Sequence, residues 1–361
     1  MPKCILFIFF VLFIGFDLFA QTSKSLGNYY ENKLGLLLVH STKMSHLPKQ
    51  FVHGSEIGIQ RIVSGKKLWH RLYGKPKIGL SCYWGNLGND ELLGKVFGGY
   101  AFIELPLIRL NKHLFSVRIG NGIGRVSKVF SVNDNPLNNA ISSEINSMFQ
   151  FSVMYNYTFK KIDFGLGSDF LHLSNAAIKS PNLGLNIPSL KLRMAYIYST
   201  KLRSIELKNE VVQSDKAIPK NRFLAILFGS YKQLYENPGL SYPVYGATFS
   251  YQRIGSSLRG WEYGVDVNRN GSDIQLLYNQ GIETKKIVKY GVYGAYIVQL
   301  DKFQMLAGMG VYCYDPHRLN GLFYHRVALR YIVYNHLTLN LGLKSHWANA
   351  DYAEFGIGFC L

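Results

Sequence analysis

The sequence has no apolar segment long enough to cross a bilayer as a helix. A transmembrane helix needs roughly 20 consecutive apolar residues, and the longest run, Ile5–Phe16, is shorter than that. This run follows Lys3 and is followed closely by Ala20, an order typical of a secretory signal peptide cleaved after Ala20. We therefore expect residues 1–20 to be a signal peptide, and residues 21–361 to use strands if they enter a membrane.

Cysteine and acidic residues are also scarce. Of the 4 cysteines, Cys4 lies within the expected signal peptide, and Cys82, Cys313 and Cys360 are odd in number and lack metal-ligand spacing. We expect neither a disulfide framework nor a metal site. The 22 acidic residues are outnumbered by 40 Lys and Arg, which leaves a net charge of +18. Such a charge suits contact with anionic lipid phosphates, and equally a solvated basic face or lumen.

Aromatic residues, glycine and strict alternation are abundant instead. Aromatic residues make up 14% of the chain, and there are 35 glycines. Apolar side chains alternate with small polar ones at 149–159, 115–124, 337–344 and 353–361. A period of two predicts strands with one apolar and one polar face. Polar faces made mainly of Gly, Ser, Thr and Asn are typical of a barrel interior.

These features together predict an all-β protein, an antiparallel transmembrane β-barrel of roughly 12 to 14 strands. Since the chain has no repeat of fixed period and no low-complexity linker, we expect residues 21–361 to form a single barrel domain. The glycine-rich segment Gly120–Gly124 lacks the strand-to-helix context of a nucleotide loop, which favours a bent strand. We expect no cofactor and no nucleic acid partner.

The segment that contains candidate catalytic residues is His172-Leu173-Ser174-Asn175-Ala176. A serine hydroxyl becomes a nucleophile when a neighbouring base removes its proton, and histidine suits that task near neutral pH. Residues two apart on a strand point to the same side, so His172 and Ser174 are competent as base and nucleophile. These residues are also common where a non-catalytic strand ends, with Pro181 and Gly184 simply shaping the turn that follows.

The phase of this strand indicates where the pair points. His172 and Ser174 share parity with Phe164 and Leu166, whereas Asp169 belongs to the other face. The pair should therefore project toward lipid. A polar pair at the end of a lipid-facing row is costly without a purpose, and a substrate lying in the membrane would supply one.

Residues Phe170–Asn186 resemble the active-site segment of the lipid A 3-O-deacylases, membrane esterases with His-x-Ser-Asn-Ala followed by Pro-Asn-x-Gly. Weaker similarity at Trp69–Leu80 and Ala350–Gly356 resembles the longer members called acyloxyacyl hydrolases. The resemblance implies Ser174 as nucleophile, His172 as base and Asn175 helping to hold the oxyanion. It also implies the outer membrane of a Gram-negative bacterium, with the active site facing the outer leaflet and lipid A as substrate.

Two positions depart from that family pattern. Asn186 stands where the family typically has the glutamate of its triad, and Ala177 stands where it has a glycine. An asparagine can still orient the imidazole through its amide oxygen. The loss of the glycine could restrict a backbone amide that serves the oxyanion.

Two alternatives to a lipid A deacylase remain open at this point. The spacing of His172, Ser174 and Asn186 also resembles that of outer membrane phospholipase A, which uses a His-Ser-Asn triad and would take a phospholipid. The sequence shows no clear acidic cluster for the calcium that this second resemblance implies. The other alternative is a non-catalytic, porin-like barrel.

Overall fold

The structure is a computed structural model that describes residues 26–198, 221–234, 239–334, 336–347 and 349–361. The expected signal peptide, residues 1–20, lies outside the described residues. The described chain consists mostly of antiparallel strands and forms two compact units, each with one closed barrel.

The N-terminal barrel contains eight strands, each paired with its neighbours in the chain, and the first strand pairs with the eighth to close the barrel. Its strands are β1 (Leu26–Gly35), β2 (Val52–Ile62), β3 (Lys77–Asn86), β4 (Lys95–Leu110), β5 (His113–Val126), β6 (Ile145–Phe159), β7 (Ile162–Ser174) and β8 (Leu185–Ile197). A 3₁₀ turn at Thr42–Met44 and a helix at Leu68–Leu72 lie in the connections.

The C-terminal barrel also has eight strands and closes through pairing of its first and last strands. Its strands are β9 (Asn221–Gln233), β10 (Ser241–Ile254), β11 (Arg259–Asn270), β12 (Val288–Leu300), β13 (Phe303–Tyr314), β14 (Phe323–Ile332), β15 (Leu337–His346) and β16 (Asn349–Cys360). A helix at Ser272–Asn279 connects two of them. None of the helices in the described ranges is long and apolar enough to cross a membrane.

The predicted all-β, antiparallel barrel architecture is confirmed, but the number of strands and barrels differs from the expectation. Among the residues that the structure describes, sixteen strands form two barrels, whereas the sequence indicated about 12 to 14 strands and a single barrel domain over residues 21–361. Alternation locates strands without indicating which distant strand closes a barrel. Closure depends on the pairs β1–β8 and β9–β16, whose partners are far apart in the chain.

The interior of the N-terminal barrel contains buried charged side chains that pair with one another. Arg118 is fully buried and lies 3.0 Å from Glu31 and 3.1 Å from Glu104, measured between guanidinium nitrogen and carboxylate oxygen. Lys191 lies between Glu31 and Asp169, at 3.3 and 3.4 Å. The polar faces that the sequence indicated as mostly small and uncharged thus also carry a compact ionic network.

The glycine-rich segment of β5 is a strand, as the sequence analysis favoured. A Cβ atom at Gly120 would lie 2.6 Å from the ring of Tyr100, so a side chain there would collide with a buried aromatic residue. The Tyr100 hydroxyl in turn donates a hydrogen bond to Glu56 in the charged interior. Glycine at this position therefore makes room for an inward-facing ring.

The C-terminal barrel has an ionic interior of its own. Arg326 lies 2.9 Å from Glu354, and Lys344 lies 3.2 Å from Asp266, all of them buried. Buried charges are stable when they are paired and hydrogen-bonded. In both barrels the interior is thus occupied by packed side chains.

Candidate active site

Strands β7 and β8 hold the three residues that the sequence analysis placed in a triad. His172 and Ser174 lie at the end of β7, and the antiparallel register places Asn186 of β8 directly opposite His172. Leu173 between them is fully buried in the barrel interior, while His172 and Ser174 are half-buried. Since strand side chains alternate, the pair lies on the outer wall, on the same face as the exposed Leu166. The structure therefore agrees with the sequence-based prediction that His172 and Ser174 share a face with Leu166.

The three side chains form a continuous chain of hydrogen bonds. His172 Nε2 lies 3.0 Å from Ser174 Oγ, and His172 Nδ1 lies 2.7 Å from Asn186 Oδ1. A carboxamide oxygen can only accept, so Nδ1 carries the imidazole proton and Nε2 is left to accept the serine proton. This arrangement matches the one in which a histidine base activates a hydroxyl while a third group fixes its tautomer.

Asn175, predicted to help hold the oxyanion, is buried beside Ser174 and bonded within the loop. Its backbone N–H donates to Asn182 Oδ1 at 3.1 Å, and its side-chain nitrogen lies 3.2 Å from Ser142 Oγ and 3.0 Å from Ser143 Oγ. These contacts fix the backbone immediately after Ser174. For the side chain of Asn175 to meet an oxyanion, the oxyanion would have to replace one of the two serine hydroxyls, so this role stays a prediction.

Gly184 of the Pro-Asn-x-Gly motif lies directly against the imidazole. Its φ is +77°, and a Cβ atom there would lie 3.2 Å from His172 Cε1 and 3.5 Å from Ser174 Cβ. Glycine is the residue that adopts this backbone conformation without strain. The motif that carried the family resemblance therefore also shapes the space around the base.

Ala177, which replaces the family's glycine, has a φ of +62°, and the preceding Ala176 has a φ of +55°. The left-handed conformation costs a non-glycine residue roughly 1 to 2 kcal/mol. The loop thus keeps a backbone conformation that glycine would favour, although alanine stands at both positions.

His40 is a site neighbour that the sequence analysis missed. Its Nδ1 lies 3.1 Å from Asn186 Nδ2, and its Nε2 lies 3.0 Å from the carbonyl oxygen of Leu183. His40 is exposed and follows the end of β1, more than a hundred residues before Asn186. It belongs to no local motif, so the sequence carries no signal that would join it to the site.

An apolar cluster supports the site from inside the barrel. Leu171, Leu173 and Leu185 are at most 2% exposed, and they pack with buried side chains of the loops at the same end of the barrel. These loop residues are Leu37, Met44, Leu47, Leu87, Leu93, Ala140 and Ile141. Close packing of the inner face restricts the motion of the strand end. It therefore helps to keep His172 and Ser174 in position on the outer wall.

The side chains at this site are a hydroxyl, two imidazoles and carboxamides. The cysteines Cys82, Cys313 and Cys360 are free thiols. Within the part of the chain that the structure describes, no three His, Cys, Asp or Glu side chains cluster so that they could hold a metal ion.

Solved outer-membrane proteins share only low similarity with the chain. Neisserial surface protein A is 10% identical, over 48% of this chain and 95% of its own length, with a TM-score of 0.33. A mutant of the Rh. blastica porin is 11% identical, over 93% and 99% of the two chains, with a TM-score of 0.19. The siderophore receptor PirA from Acinetobacter baumannii is 9% identical, over 93% and 70%, with a TM-score of 0.25. A comparison with curated proteins gives no match.

Two family models match the chain and together cover most of it. The model described as lipid A 3-O-deacylase (PagL) matches residues 53–195, which contain His172, Ser174 and Asn186. The model described as acyloxyacyl hydrolase, C-terminal domain, matches residues 221–361, which are the C-terminal barrel. The chain therefore belongs to the family of lipid A 3-O-deacylases and acyloxyacyl hydrolases, ester hydrolases built on β-barrels of the outer membrane.

Proposed function

We propose that this protein is a serine esterase that removes an ester-linked acyl chain from lipid A at the outer wall of its N-terminal barrel. The observation that carries the proposal is the hydrogen-bonded chain Ser174–His172–Asn186, which lies on the outer wall where β7 ends. A base and a nucleophile in hydrogen-bond contact, with the base oriented by a third group, are the parts that acyl transfer requires.

The reaction proceeds in two acyl transfers. Ser174 Oγ attacks the ester carbonyl carbon while its proton passes to His172 Nε2, and a tetrahedral oxyanion forms. When the carbon–oxygen bond to the sugar breaks, His172 returns that proton to the leaving sugar oxygen, and the acyl chain stays on Ser174. Water then attacks the acyl-enzyme with its proton going to His172, and the hydroxy fatty acid leaves as Ser174 recovers its proton.

Asn186 and Asn175 take supporting roles in this scheme. Asn186 Oδ1 keeps the proton of His172 on Nδ1, which leaves Nε2 as the base. A carboxamide stabilises the imidazolium less than a carboxylate would, since it carries no charge. Asn175 is the candidate for the oxyanion, by exchanging its bond to Ser142 or Ser143 for one to the substrate.

The surroundings of the site suit a substrate that arrives within the membrane. Phe149 lies opposite His172 on β6 and is 36% exposed, and Leu36 and Leu38 at the end of β1 are 49% and 42% exposed. Lipid A would reach Ser174 by lateral diffusion along this apolar wall. Because the ester bonds of lipid A lie just below its sugar headgroup, we place this strand end on the extracellular side, in the outer leaflet.

A phospholipase with the same triad is the second candidate, because Asn186 occupies the third position. Both activities use the same three residues, so they are separated by the substrate. The match of the lipid A 3-O-deacylase model over residues 53–195 favours lipid A. The packed interiors of both barrels give no support to the porin-like alternative.

The proposal is tested by expressing the wild type and Ser174→Ala in a Gram-negative host without a lipid A deacylase of its own. Mass spectrometry of lipid A should show the loss of one hydroxyacyl chain with the wild type and intact lipid A with Ser174→Ala. Because a hydroxyl at a strand end contributes little to folding, the variant should remain heat-modifiable on gels. Ser168→Ala is the matched control, since Ser168 is exposed on the same face of β7 and should keep full activity.

Two outcomes would contradict the proposal. Deacylation by Ser174→Ala at the wild-type rate would remove Ser174 from the mechanism. Accumulation of lysophospholipid with unchanged lipid A would make phospholipid the substrate and leave the triad in place.

A further inference from the structure

We infer that His40 is a positioning residue that determines which end of the Asn186 carboxamide faces His172. The inference rests on the proposed function, since it concerns how the base of that reaction keeps its working tautomer. It begins from the contact between His40 Nδ1 and Asn186 Nδ2, which are 3.1 Å apart.

The position of His40 is fixed by an extension of the barrel wall. Beyond the end of β1 the backbone continues to pair with β8, since Leu36 N–H donates to Pro188 O at 3.2 Å and Leu38 N–H donates to Asn186 O at 2.9 Å. His40 follows two residues later. Its Nε2 is anchored 3.0 Å from the carbonyl oxygen of Leu183.

The hydrogen bonds of His40 determine the direction of every bond that follows. A carbonyl oxygen can only accept, and each ring nitrogen of His40 faces one, Nε2 that of Leu183 at 3.0 Å and Nδ1 that of Leu38 at 3.4 Å. The shorter contact favours the proton on Nε2, which leaves Nδ1 of the neutral ring as an acceptor. The partner of that acceptor must be the NH₂ group of Asn186, which turns Oδ1 toward His172 Nδ1. His172 then carries its proton on Nδ1, and its Nε2 accepts from Ser174.

The orienting contact from His40 is needed because position 186 holds an amide instead of a carboxylate. A carboxylate presents an acceptor to His172 whichever way it is rotated, whereas a carboxamide has a donor end and an acceptor end. A reversed Asn186 would present NH₂ to His172 Nδ1 and favour the tautomer protonated on Nε2. That tautomer cannot accept the Ser174 proton.

The experiment compares variants at His40 in the full-length protein, with kcat and KM measured on purified lipid A in detergent. Loss of a triad's correct tautomer costs roughly 10⁴-fold, and a freely rotating amide costs less. We therefore expect His40→Ala to lower kcat about tenfold or more with little change in KM. His40→Lys, which can only donate, should lower kcat further. His40→Gln offers an oxygen to Asn186 and an NH₂ to Leu183, so it should retain most of the activity.

A second background separates positioning from a general structural effect. In Asn186→Asp the carboxylate needs no orienting partner, so adding His40→Ala should leave kcat of that variant within about twofold. His46→Ala is the matched control, because His46 is a half-buried histidine of the same loop bonded to a backbone carbonyl, that of Leu137, at 2.8 Å. It should leave kcat unchanged.

A spectroscopic measurement tests the inference without turnover. The ¹⁵N shifts of His172, assigned by comparison with His172→Gln, should show Nδ1 protonated in the wild type and a shift toward Nε2 protonation in His40→Lys. If the tautomer responds in this way but lipid A is not hydrolysed, the positioning role stands and the proposed function fails. The inference itself is overturned if His40→Ala changes neither kcat nor the tautomer, if His40→Gln does not rescue, or if His40→Ala costs as much beside Asp at position 186 as beside Asn.

Discussion

At the scale of single residues, the site depends on how closely neutral groups approach the imidazole of His172. Asn186 and Ser174 contact its two nitrogens, and Gly184 lies beside its carbon edge, where an added Cβ atom would lie 3.2 Å from Cε1. A side chain added there would therefore press on the ring and stretch its hydrogen bonds, whereas glycine leaves the ring in place. Ala177, in the same loop, keeps a left-handed backbone conformation without glycine.

The corresponding prediction is that Gly184→Ala impairs catalysis more than stability. The new methyl group would push against His172 and disturb its contact with Ser174, so kcat should fall while the barrel stays folded on gels. Gly281→Ala is the matched control, because Gly281 has nearly the same φ, +76°, and a Cβ atom there would meet nothing within 4 Å. Both variants should lose a similar amount of stability, about 1 kcal/mol, and equal kcat values for the two would show that the contact with His172 has no role.

At the scale of elements, β7 combines an apolar outer face with a site at its end. Leu166 on the outer wall is 54% exposed, whereas Leu171 and Leu173 are buried in the apolar cluster inside the barrel. The inner face at this end of the strand is therefore packed, not water-filled. Chemical labelling should therefore distinguish the outer face of the strand from its packed inner face.

Single cysteines in a background without the native thiols test the phase of β7. A fluorophore on Leu166→Cys should be quenched by a quencher confined to the hydrocarbon region of the bilayer, because this side chain points outward. Leu171→Cys, at 2% exposure in the wild type, should resist both that quencher and a water-soluble thiol reagent until the protein is unfolded. Ready quenching at Leu171→Cys with protection at Leu166→Cys would reverse the phase and remove the lateral route of lipid A to Ser174.

At the scale of the whole molecule, each barrel encloses an ionic network that closure brings together. In the N-terminal barrel, Glu31, Glu56 and Glu104 come from three different strands and surround Arg118. All four side chains are at most 1% exposed. Removing one partner of such a cluster leaves buried charges less well compensated in a medium of low dielectric constant, although Glu56 keeps its contact with Lys33.

We therefore expect Arg118→Met to reduce the free energy of unfolding by about 3 to 5 kcal/mol. Urea titration of the protein in lipid vesicles, followed by tryptophan fluorescence, would measure this loss. Arg125→Met is the matched control on the same strand, because the Arg125–Glu144 pair is 67% and 57% exposed and should contribute about 0 to 1 kcal/mol. Similar losses for the two variants would contradict a stabilising role of the interior network.

Much of the site was accessible from sequence because it is local to one strand and the following loop. His172 and Ser174 lie two residues apart, and their parity with Leu166 predicts the outer wall. Asn186 was named through family resemblance, and the β7–β8 register brings it opposite His172. His40 was missed because its contact to Asn186 spans 146 positions of sequence and is formed by the pairing of β1 with β8.

The sequence by itself determined the character of the elements of this protein, namely that they are strands with one apolar and one polar face, and the order of His172 and Ser174 along one of them. These properties follow from a repeat of two residues, which is a local property of the backbone. The tertiary structure decided that the strands close into two barrels, that the acidic residues of four strands meet the basic ones inside, and that His40 reaches Asn186. Such contacts depend on hydrogen-bonded pairing between strands as distant as β1 and β8, and no local pattern specifies which distant strands pair.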